Sequence, residues 1–187
     1  VFNGEIYNFR ELREQLNRIG YSFRSNCDTE VIIASYKEWG RECVHKFNGM
    51  FVFALYDSNS DDVFIARDRA GEKPLYYFLD DDGISFASEL KALVENDAID
   101  REIDRSSLDC YLSFGFIPGS RCIYSGVRKL EAGSWLVFNT LSGKFLSKKY
   151  WTLPESTCQI VRSSSNKNQL LEQFGSLFED SISKQLE

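Results

Sequence analysis

The chain has 187 residues, 43% of them hydrophobic and 14% aromatic, which is enough for one hydrophobic core of ordinary domain size. Its formal net charge of −6 argues against a nucleic-acid-binding role, and no apolar run approaches the roughly 18 residues that cross a membrane. The five cysteines are scattered without CxxC spacing, so neither a zinc site nor a disulfide framework is predicted, and free thiols in a reducing cytoplasm are expected.

The first part of the chain predicts helices. Asn8 and Glu11 have the spacing of an N-terminal capping box, and Gly20 marks the end of the apolar stripe that follows. A second helix is predicted to start at Asp28 and to end near Gly40, with a shorter helix after it.

Strands are predicted from Met50 onward. Short β-branched and aromatic runs alternate with turn clusters, which is typical of an antiparallel meander, and their nearly continuous apolar character indicates burial on both faces. Two further helices and a final hairpin follow. The predicted strands are 51–56, 63–66, 75–78 and 84–87, the helices 88–94 and 104–113, and the hairpin strands 134–139 and 144–150.

The character of the chain changes after Trp151. Residues 152–168 are polar and rich in serine, so they are predicted to be a linker between a domain at 1–151 and the start of a second domain at 169–187. The last segment predicts a strongly amphipathic helix with seven large apolar side chains on one face. Nothing after the linker covers that face, so we expect the helix to need a partner.

Asn3, Gly4 and Glu5 are the leading site candidates, a compact polar cluster between apolar residues. The side-chain amide of Asn3 and the backbone N–H of Gly4 have the chemistry of an oxyanion hole, and glycine permits the close approach that such a hole requires. The Glu5 carboxylate can hold an ammonium group. The alternative interpretation is a strand end with a turn, since Asn-Gly is a frequent turn dipeptide.

Asp28 is the second candidate, because an aspartate at a helix start can cap the helix, pair with a substrate ammonium, or do both. Cys27 is interpreted as structural, since the adjacent carboxylate opposes thiolate formation. His45 is the one histidine, so a Ser/His/Asp or Cys/His pair is poorly supplied. The charged clusters 67–69 and 88–91 predict solvated ends or salt-bridged elements, with a domain-interface role as the alternative.

Seven segments, in this order, resemble the glutamine-dependent asparagine synthetase family, and together they cover about the whole chain. They are VFNGEIYN at 1–8, SNCDTEV at 25–31, FNGMFVFALYD at 47–57, ARDRAGEKPLYY at 66–77, FASELKAL at 86–93, YLSFGFIP at 111–118 and GVRKLEAG at 126–133. The resemblance implies an α+β fold, a four-layer αββα N-terminal-nucleophile hydrolase-like sandwich of antiparallel sheets. It implies a class II glutamine amidotransferase domain at 1–151, incomplete at its N-terminus, and the first helix of an absent ATP-dependent synthetase domain at 169–187.

In that family an N-terminal cysteine attacks the side-chain amide of glutamine, and the resulting thioester releases glutamate while ammonia passes through an internal tunnel. The resemblance matches Asn3 and Gly4 to the oxyanion-hole and glutamine-binding positions, and Glu5 and Asp28 to groups that hold the α-amino end of glutamine. It implies no cofactor in this chain. Aspartate, ATP and magnesium are implied for the synthetase domain, where ammonia converts activated aspartate to asparagine. A cytoplasmic ligase is expected, and a homodimer is left open.

The resemblance also implies parts that lie outside residues 1–187. The nucleophilic cysteine and the arginine loop for the substrate carboxylate are expected upstream of Asn3, and the pyrophosphate loop after Glu187. We therefore expect this chain alone to be inactive. The alternatives are a paralogous amidotransferase acting on another carboxylate and a non-catalytic glutamine-binding module.

Overall fold

The computed structural model describes residues 1–154 and 167–186. The strands are β1 (Phe2–Ile6), β2 (Gly49–Asp57), β3 (Asp62–Arg67), β4 (Tyr76–Asp80), β5 (Gly83–Ala87), β6 (Arg128–Lys129), β7 (Ser134–Asn139) and β8 (Phe145–Lys149). The α-helices are α1 (Phe9–Arg18), α2 (Asp28–Trp39), α3 (Leu90–Leu93), α4 (Arg105–Phe114) and α5 (Lys167–Leu186), and a 3-10 helix covers Gly40–His45. The predicted strands are confirmed, and their observed ends differ from the predicted ones by at most about two residues.

Two antiparallel sheets form the centre of the fold. The large sheet has the order β1-β2-β3-β7-β8, and the small sheet has the order β5-β4-β6. Helices α1 and α2 cover one face of the large sheet, and its other face packs on the small sheet, whose outer face packs on α3. Because each sheet buries an apolar face against a neighbour, the layers stack as the predicted αββα sandwich, and the α+β prediction is confirmed.

The strands pair antiparallel as predicted, but the predicted meander is wrong. Strands β2 and β3 form a hairpin in the large sheet, whereas β4 and β5 form a hairpin in the small sheet. The second neighbour of β3 is β7, with Val63 opposite Phe138 and Ile65 opposite Leu136. An apolar run predicts that a strand is buried but does not predict which strand it pairs with. A strand buried on both faces can therefore pair with a distant segment as well as with the next strand in the sequence.

The predicted capping box at the start of α1 is also wrong. Asn8 makes no side-chain bond to the first turn of the helix. Its Nδ2 instead donates to the backbone oxygen of Lys46 (2.9 Å), and its Oδ1 accepts from the backbone N–H of Asn48 (2.9 Å). The amide of Asn8 therefore satisfies backbone groups of the loop before β2 and fixes that loop against the end of β1.

Helix α5 carries the amphipathic pattern expected of it, and none of its described residues is buried. All seven large apolar side chains are exposed, namely Leu170, Leu171, Phe174, Leu177, Phe178, Ile182 and Leu186. Most of the predicted linker, 155–166, lies outside the described residues. Within the described residues, no helix is both long enough and apolar enough to cross a membrane.

Candidate functional site

Strand β1 lies at the edge of the large sheet, and among the residues that the structure describes it pairs only with β2. Val1 and Ala54 exchange both backbone hydrogen bonds (2.9 Å each), and the Tyr7 N–H donates to the Asn48 oxygen (2.8 Å). Antiparallel pairing alternates, so odd-numbered residues of β1 bond to β2 and even-numbered ones direct their N–H groups away from it. The N–H of Gly4 therefore points off the open edge of the sheet.

Gly4 fits this position because the two strands approach closely there. A Cβ atom on Gly4 would lie 2.1 Å from the backbone oxygen of Met50 and 2.7 Å from the Cα of Phe51, and its φ of +141° is rare for other residues. Both obstructing atoms are backbone, so they cannot move aside as a side chain can. Any side chain at this position would push β1 away from β2 and displace the outward N–H.

Asn3 lies beside Gly4 on the opposite face of the strand, because successive strand residues point to opposite faces. Its side chain is exposed, and its Nδ2 donates to the hydroxyl oxygen of Ser88 at 3.1 Å. A side-chain amide nitrogen carries two N–H groups, so one remains after the bond to Ser88. Asn3 and Gly4 together place two N–H donors along the same open edge.

Asp28 reaches the same edge from the other side. It is the first residue of α2, and its Oδ2 accepts a hydrogen bond from the backbone N–H of Ile6 at 3.2 Å. The predicted helix start is confirmed, but the N-cap is Cys27, whose sulfur accepts from the N–H of Thr29 at 3.4 Å. Cys27 therefore has the structural role that was predicted for it, and the Asp28 carboxylate lies two residues along the strand from Gly4.

The loop that delivers Asp28 is closed by Glu30. Its carboxylate accepts from the Ser25 hydroxyl (2.6 Å) and from the backbone N–H groups of Arg24 and Ser25. These hydrogen bonds, that of the Ser25 hydroxyl foremost, lower the pKa of Glu30 to about 2. Glu30 thus remains ionised and holds the loop against the first turn of α2.

Glu5 is exposed on the same face of β1 as Asn3 and lies opposite Met50. The structure gives its carboxylate no hydrogen bond or ion pair among the described residues. Its negative charge acts on Tyr7: the pKa of Tyr7 is raised mainly by burial, next by the charge of Glu72 and then by that of Glu5. Asn3, Gly4 and Glu5 lie on β1, and Asp28 of α2 bonds to the same strand at Ile6, so the four candidate residues lie close together; their roles stay a prediction.

The charged cluster at 67–69 is not a solvated strand end. The Asp68 carboxylate is fully buried and accepts from three backbone N–H groups, those of Phe51, Glu72 and Lys73. Arg67 donates to backbone oxygens on the connection to β4 and on residue 130, and burial lowers its pKa. The cluster supports β2 at Phe51, directly opposite Gly4, so it is part of the framework that positions the site.

The cluster at 88–91 contains a residue that contacts the candidate site and that the sequence did not single out for this role. Glu89 and Lys91 form an exposed ion pair (2.7 Å), which is worth little in water. Ser88 is half-buried and accepts the bond from Asn3. A hydroxyl directly after a strand was the available signal, but the contact depends on how the two sheets stack. His45 is exposed, 3.4 Å from Glu42, and lies away from these residues in the sequence and in its contacts.

A cavity of about 230 Å³ opens next to this site, between the two sheets. Asn3 and Ser88 line it together with apolar residues of β1, β2 and β5. No group of three or more His, Cys, Asp or Glu side chains capable of holding a metal occurs in residues 1–154 or 167–186. The chemistry available at the site is therefore hydrogen-bond donation from two N–H groups and the negative charge of two carboxylates.

Residues 1–151 match the family model described as a glutamine amidotransferase domain. The putative glutamine-hydrolyzing asparagine synthetase 2 of Methanocaldococcus jannaschii is 35% identical over 97% of this chain and 34% of that protein. The glutamine-hydrolyzing asparagine synthetase 1 of Bacillus subtilis is 44% identical over 72% of this chain and 21% of that protein. This chain thus spans about a fifth to a third of the length of these curated relatives.

The fold is similar to that of solved enzyme structures. The glutamine phosphoribosylpyrophosphate amidotransferase of B. subtilis superposes with a TM-score of 0.55 at 20% identity, covering 82% of this chain and 29% of that one. A second structure, an allosteric regulatory enzyme of purine biosynthesis, also gives a TM-score of 0.55 at 20% identity, over 81% of this chain and 28% of that one. At this identity the likeness bears on the fold, and it confirms the predicted N-terminal-nucleophile hydrolase-like sandwich.

Proposed function

The chain belongs to the glutamine amidotransferase domain family, and from this premise we propose that it is the glutaminase part of a glutamine-hydrolysing asparagine synthetase. Its relatives confirm the resemblance that its motifs indicate. The observation that carries the proposal is the arrangement along β1: Asn3 and the outward N–H of Gly4 lie on one open edge with the Asp28 carboxylate.

The spacing along this edge fits glutamine. Gly4 and Ile6 are two residues apart, so their outward N–H groups are about 7 Å apart. The amide carbon and the α-nitrogen of glutamine are separated by four bonds, about 5 Å when extended. A glutamine whose carbonyl oxygen accepts from Gly4 therefore brings its ammonium group within reach of Asp28, and Glu5 adds a second negative charge nearby.

The chemistry follows from the donors. A thiolate that attacks the glutamine amide carbon turns the carbonyl oxygen into an oxyanion, and the N–H groups of Asn3 and Gly4 stabilise that charge as it develops. Collapse of the intermediate breaks the C–N bond, and the leaving nitrogen takes up the proton that the cysteine's own α-amine removed from the thiol, so it departs as ammonia. Water then hydrolyses the thioester to glutamate and frees the thiol. We propose that the thiol comes from a cysteine of the complete protein, as the family resemblance implies.

The synthetase reaction is proposed for another part of the complete protein. The described residues hold no cluster suited to magnesium, so no step of ATP chemistry is assigned to them. Helix α5, with its exposed apolar face, is proposed as the first helix of the ATP-dependent domain, joined by a linker at 152–168 to the domain at 1–151. Ammonia released at β1 would there amidate aspartate.

The test is a glutaminase and synthetase assay on the complete polypeptide that contains this sequence. Asp28→Asn keeps an oxygen that can accept from Ile6 but removes the charge, so we expect the KM for glutamine to rise about tenfold or more. Asn3→Ala is expected to lower kcat about 100-fold or more. Asp81→Asn, on an exposed turn, is the control and should change neither.

Three results would contradict parts of this proposal. Release of glutamate without amidation of aspartate, but with amidation of another acid, would favour the paralogous amidotransferase. Binding of glutamine by the 187-residue chain, without turnover by the complete protein, would favour the binding module. Unchanged kcat and KM in both the Asp28→Asn and the Asn3→Ala variants would show that the glutamine site is not at β1.

A further inference from the structure

We propose that Ser88 is a positioning residue for Asn3, fixing the direction in which the Asn3 amide presents its second N–H to the substrate. The Asn3 Nδ2 donates to the Ser88 hydroxyl oxygen at 3.1 Å, across 85 residues of sequence. This bond joins the edge strand of the large sheet to the end of β5 in the small sheet. The inference rests on the proposed function, in which Asn3 stabilises an oxyanion.

Ser88 is suited to this task because its backbone is held on both sides. Ala87, directly before it, pairs with Tyr76 in the small sheet. Glu89, directly after it, accepts at its backbone oxygen from the N–H groups of the first turn of α3 (3.1 and 3.3 Å). Leu93 of that helix is 3% exposed and packs in the core below the small sheet. The backbone of Ser88 is therefore held in place beside the open edge of β1, and its hydroxyl can move only by rotation about χ1.

Asn3 needs a partner that is held in this way. Its backbone is held by pairing with Val52, but its side chain is exposed, and the last torsion of an asparagine is broad and roughly two-fold. An amide that turns over presents its carbonyl oxygen in place of an N–H and would repel an oxyanion. When Ser88 accepts one N–H, the plane of the amide is set, and the second N–H keeps one direction.

Strand β5, which ends directly before Ser88, offers a matched control. Ser85, in β5, accepts a bond from the Nδ2 of Asn96 at 2.9 Å. Ser85→Ala removes an asparagine-to-serine bond of the same kind, three residues before Ser88, from a serine whose hydrogen bond is to Asn96 and not to β1. If Ser88 only braces the fold, the two alanine variants should behave alike in both stability and activity.

The experiment measures glutamine hydrolysis by the complete polypeptide. Ser88→Ala should lower kcat about two- to tenfold, the factor that an ordinary hydrogen bond supplies, with KM changed less than about twofold. Ser88→Thr keeps the hydroxyl and should restore kcat, and Ser85→Ala should leave it unchanged. In an Asn3→Ala background, Ser88→Ala should have no further effect, because the residue through which it acts is gone.

The outcomes separate this inference from the proposed function. A wild-type protein that does not hydrolyse glutamine overturns both. An active wild type in which Ser88→Ala keeps full kcat, or loses as much with Asn3 absent as with Asn3 present, overturns the positioning role alone. The contact itself is tested in the complete polypeptide by NMR: Ser88→Ala should shift the signals of the Asn3 Nδ2 protons and speed their exchange with solvent. Unchanged Asn3 signals in that variant would also overturn it.

Discussion

Replacing Gly4 by alanine should lower the stability of the fold for two reasons, an unfavourable backbone conformation and an overlap with strand β2. The new Cβ would lie 2.1 Å from the Met50 oxygen and 2.7 Å from the Phe51 Cα, and φ at this position is +141°. The rare backbone conformation costs a non-glycine residue about 1–3 kcal/mol. The overlap with backbone costs about 1–3 kcal/mol more, because the strands must move apart. We therefore expect Gly4→Ala to lower the free energy of unfolding by about 2–6 kcal/mol.

Gly83 supplies the matched control for this measurement. It has a φ of +149°, close to that of Gly4, but a Cβ there would meet nothing within 4 Å. Gly83→Ala therefore carries the conformational cost alone, about 1–3 kcal/mol. The assay is urea unfolding followed by far-UV circular dichroism, with the midpoint and the slope m compared for wild type and both variants. If Gly4→Ala is no less stable than Gly83→Ala at equal m, the close approach of β1 and β2 is refuted.

Three further predictions concern groups away from the open edge. Asp68→Asn should destabilise the fold by about 2–4 kcal/mol in the same assay, because the new amide turns an N–H toward backbone donors. Asp81→Asn, on an exposed turn, is the control and should leave the free energy of unfolding unchanged. Equal effects of the two substitutions would contradict the structure. The pKa of Glu30 is lowered from 4.5 to about 2, so its stabilisation is present above about pH 4.5 and lost toward about pH 2. The stability gap between wild type and Glu30→Gln should therefore shrink with acidification, and a gap independent of pH would count against it. Burial raises the pKa of Cys43 to about 12, so a thiol reagent should modify exposed Cys27 first and Cys43 only on unfolding. The labelled positions are read by mass spectrometry of peptides, and early labelling of Cys43 would contradict its burial in the core.

Local signals predicted the elements well. The glycine after α1, the aspartate at the start of α2 and the apolar runs between turn clusters gave bounds close to those observed. These features act over a few residues, where capping, backbone freedom and side-chain alternation are decided by the chain itself. The sequence also predicts one site at Asn3, Gly4 and Glu5, because the three residues are adjacent, and that site stays a prediction.

The corrections to the capping box, the strand order and the charged cluster at 67–69 all involve partners that are far apart in sequence. Asn8 has the spacing of a capping residue, but the loop before β2 offers backbone groups that compete for its amide. Strand β3 pairs with β7, about 70 residues away in the sequence. Its hairpin with β2 therefore contained no information about the strand on its other side. The buried Asp68 and the bond between Asn3 and Ser88 depend on how two sheets stack, which no local pattern specifies.

The way the two sheets share the sequence has a consequence for how the chain folds. Strand β3 can complete its pairing only after β7, at residues 134–139, has been synthesised, and β4 only after β6, at 128–129. Both sheets therefore gain strands from the same stretch near the end of the domain. During synthesis, β3, whose Phe64 and Ile65 are both fully buried in the finished fold, has no second neighbouring strand until that stretch leaves the ribosome. Such non-local pairing slows folding and exposes apolar strands to other chains meanwhile. We expect nascent chains that end before residue 134 to be the form of this protein most in need of a chaperone.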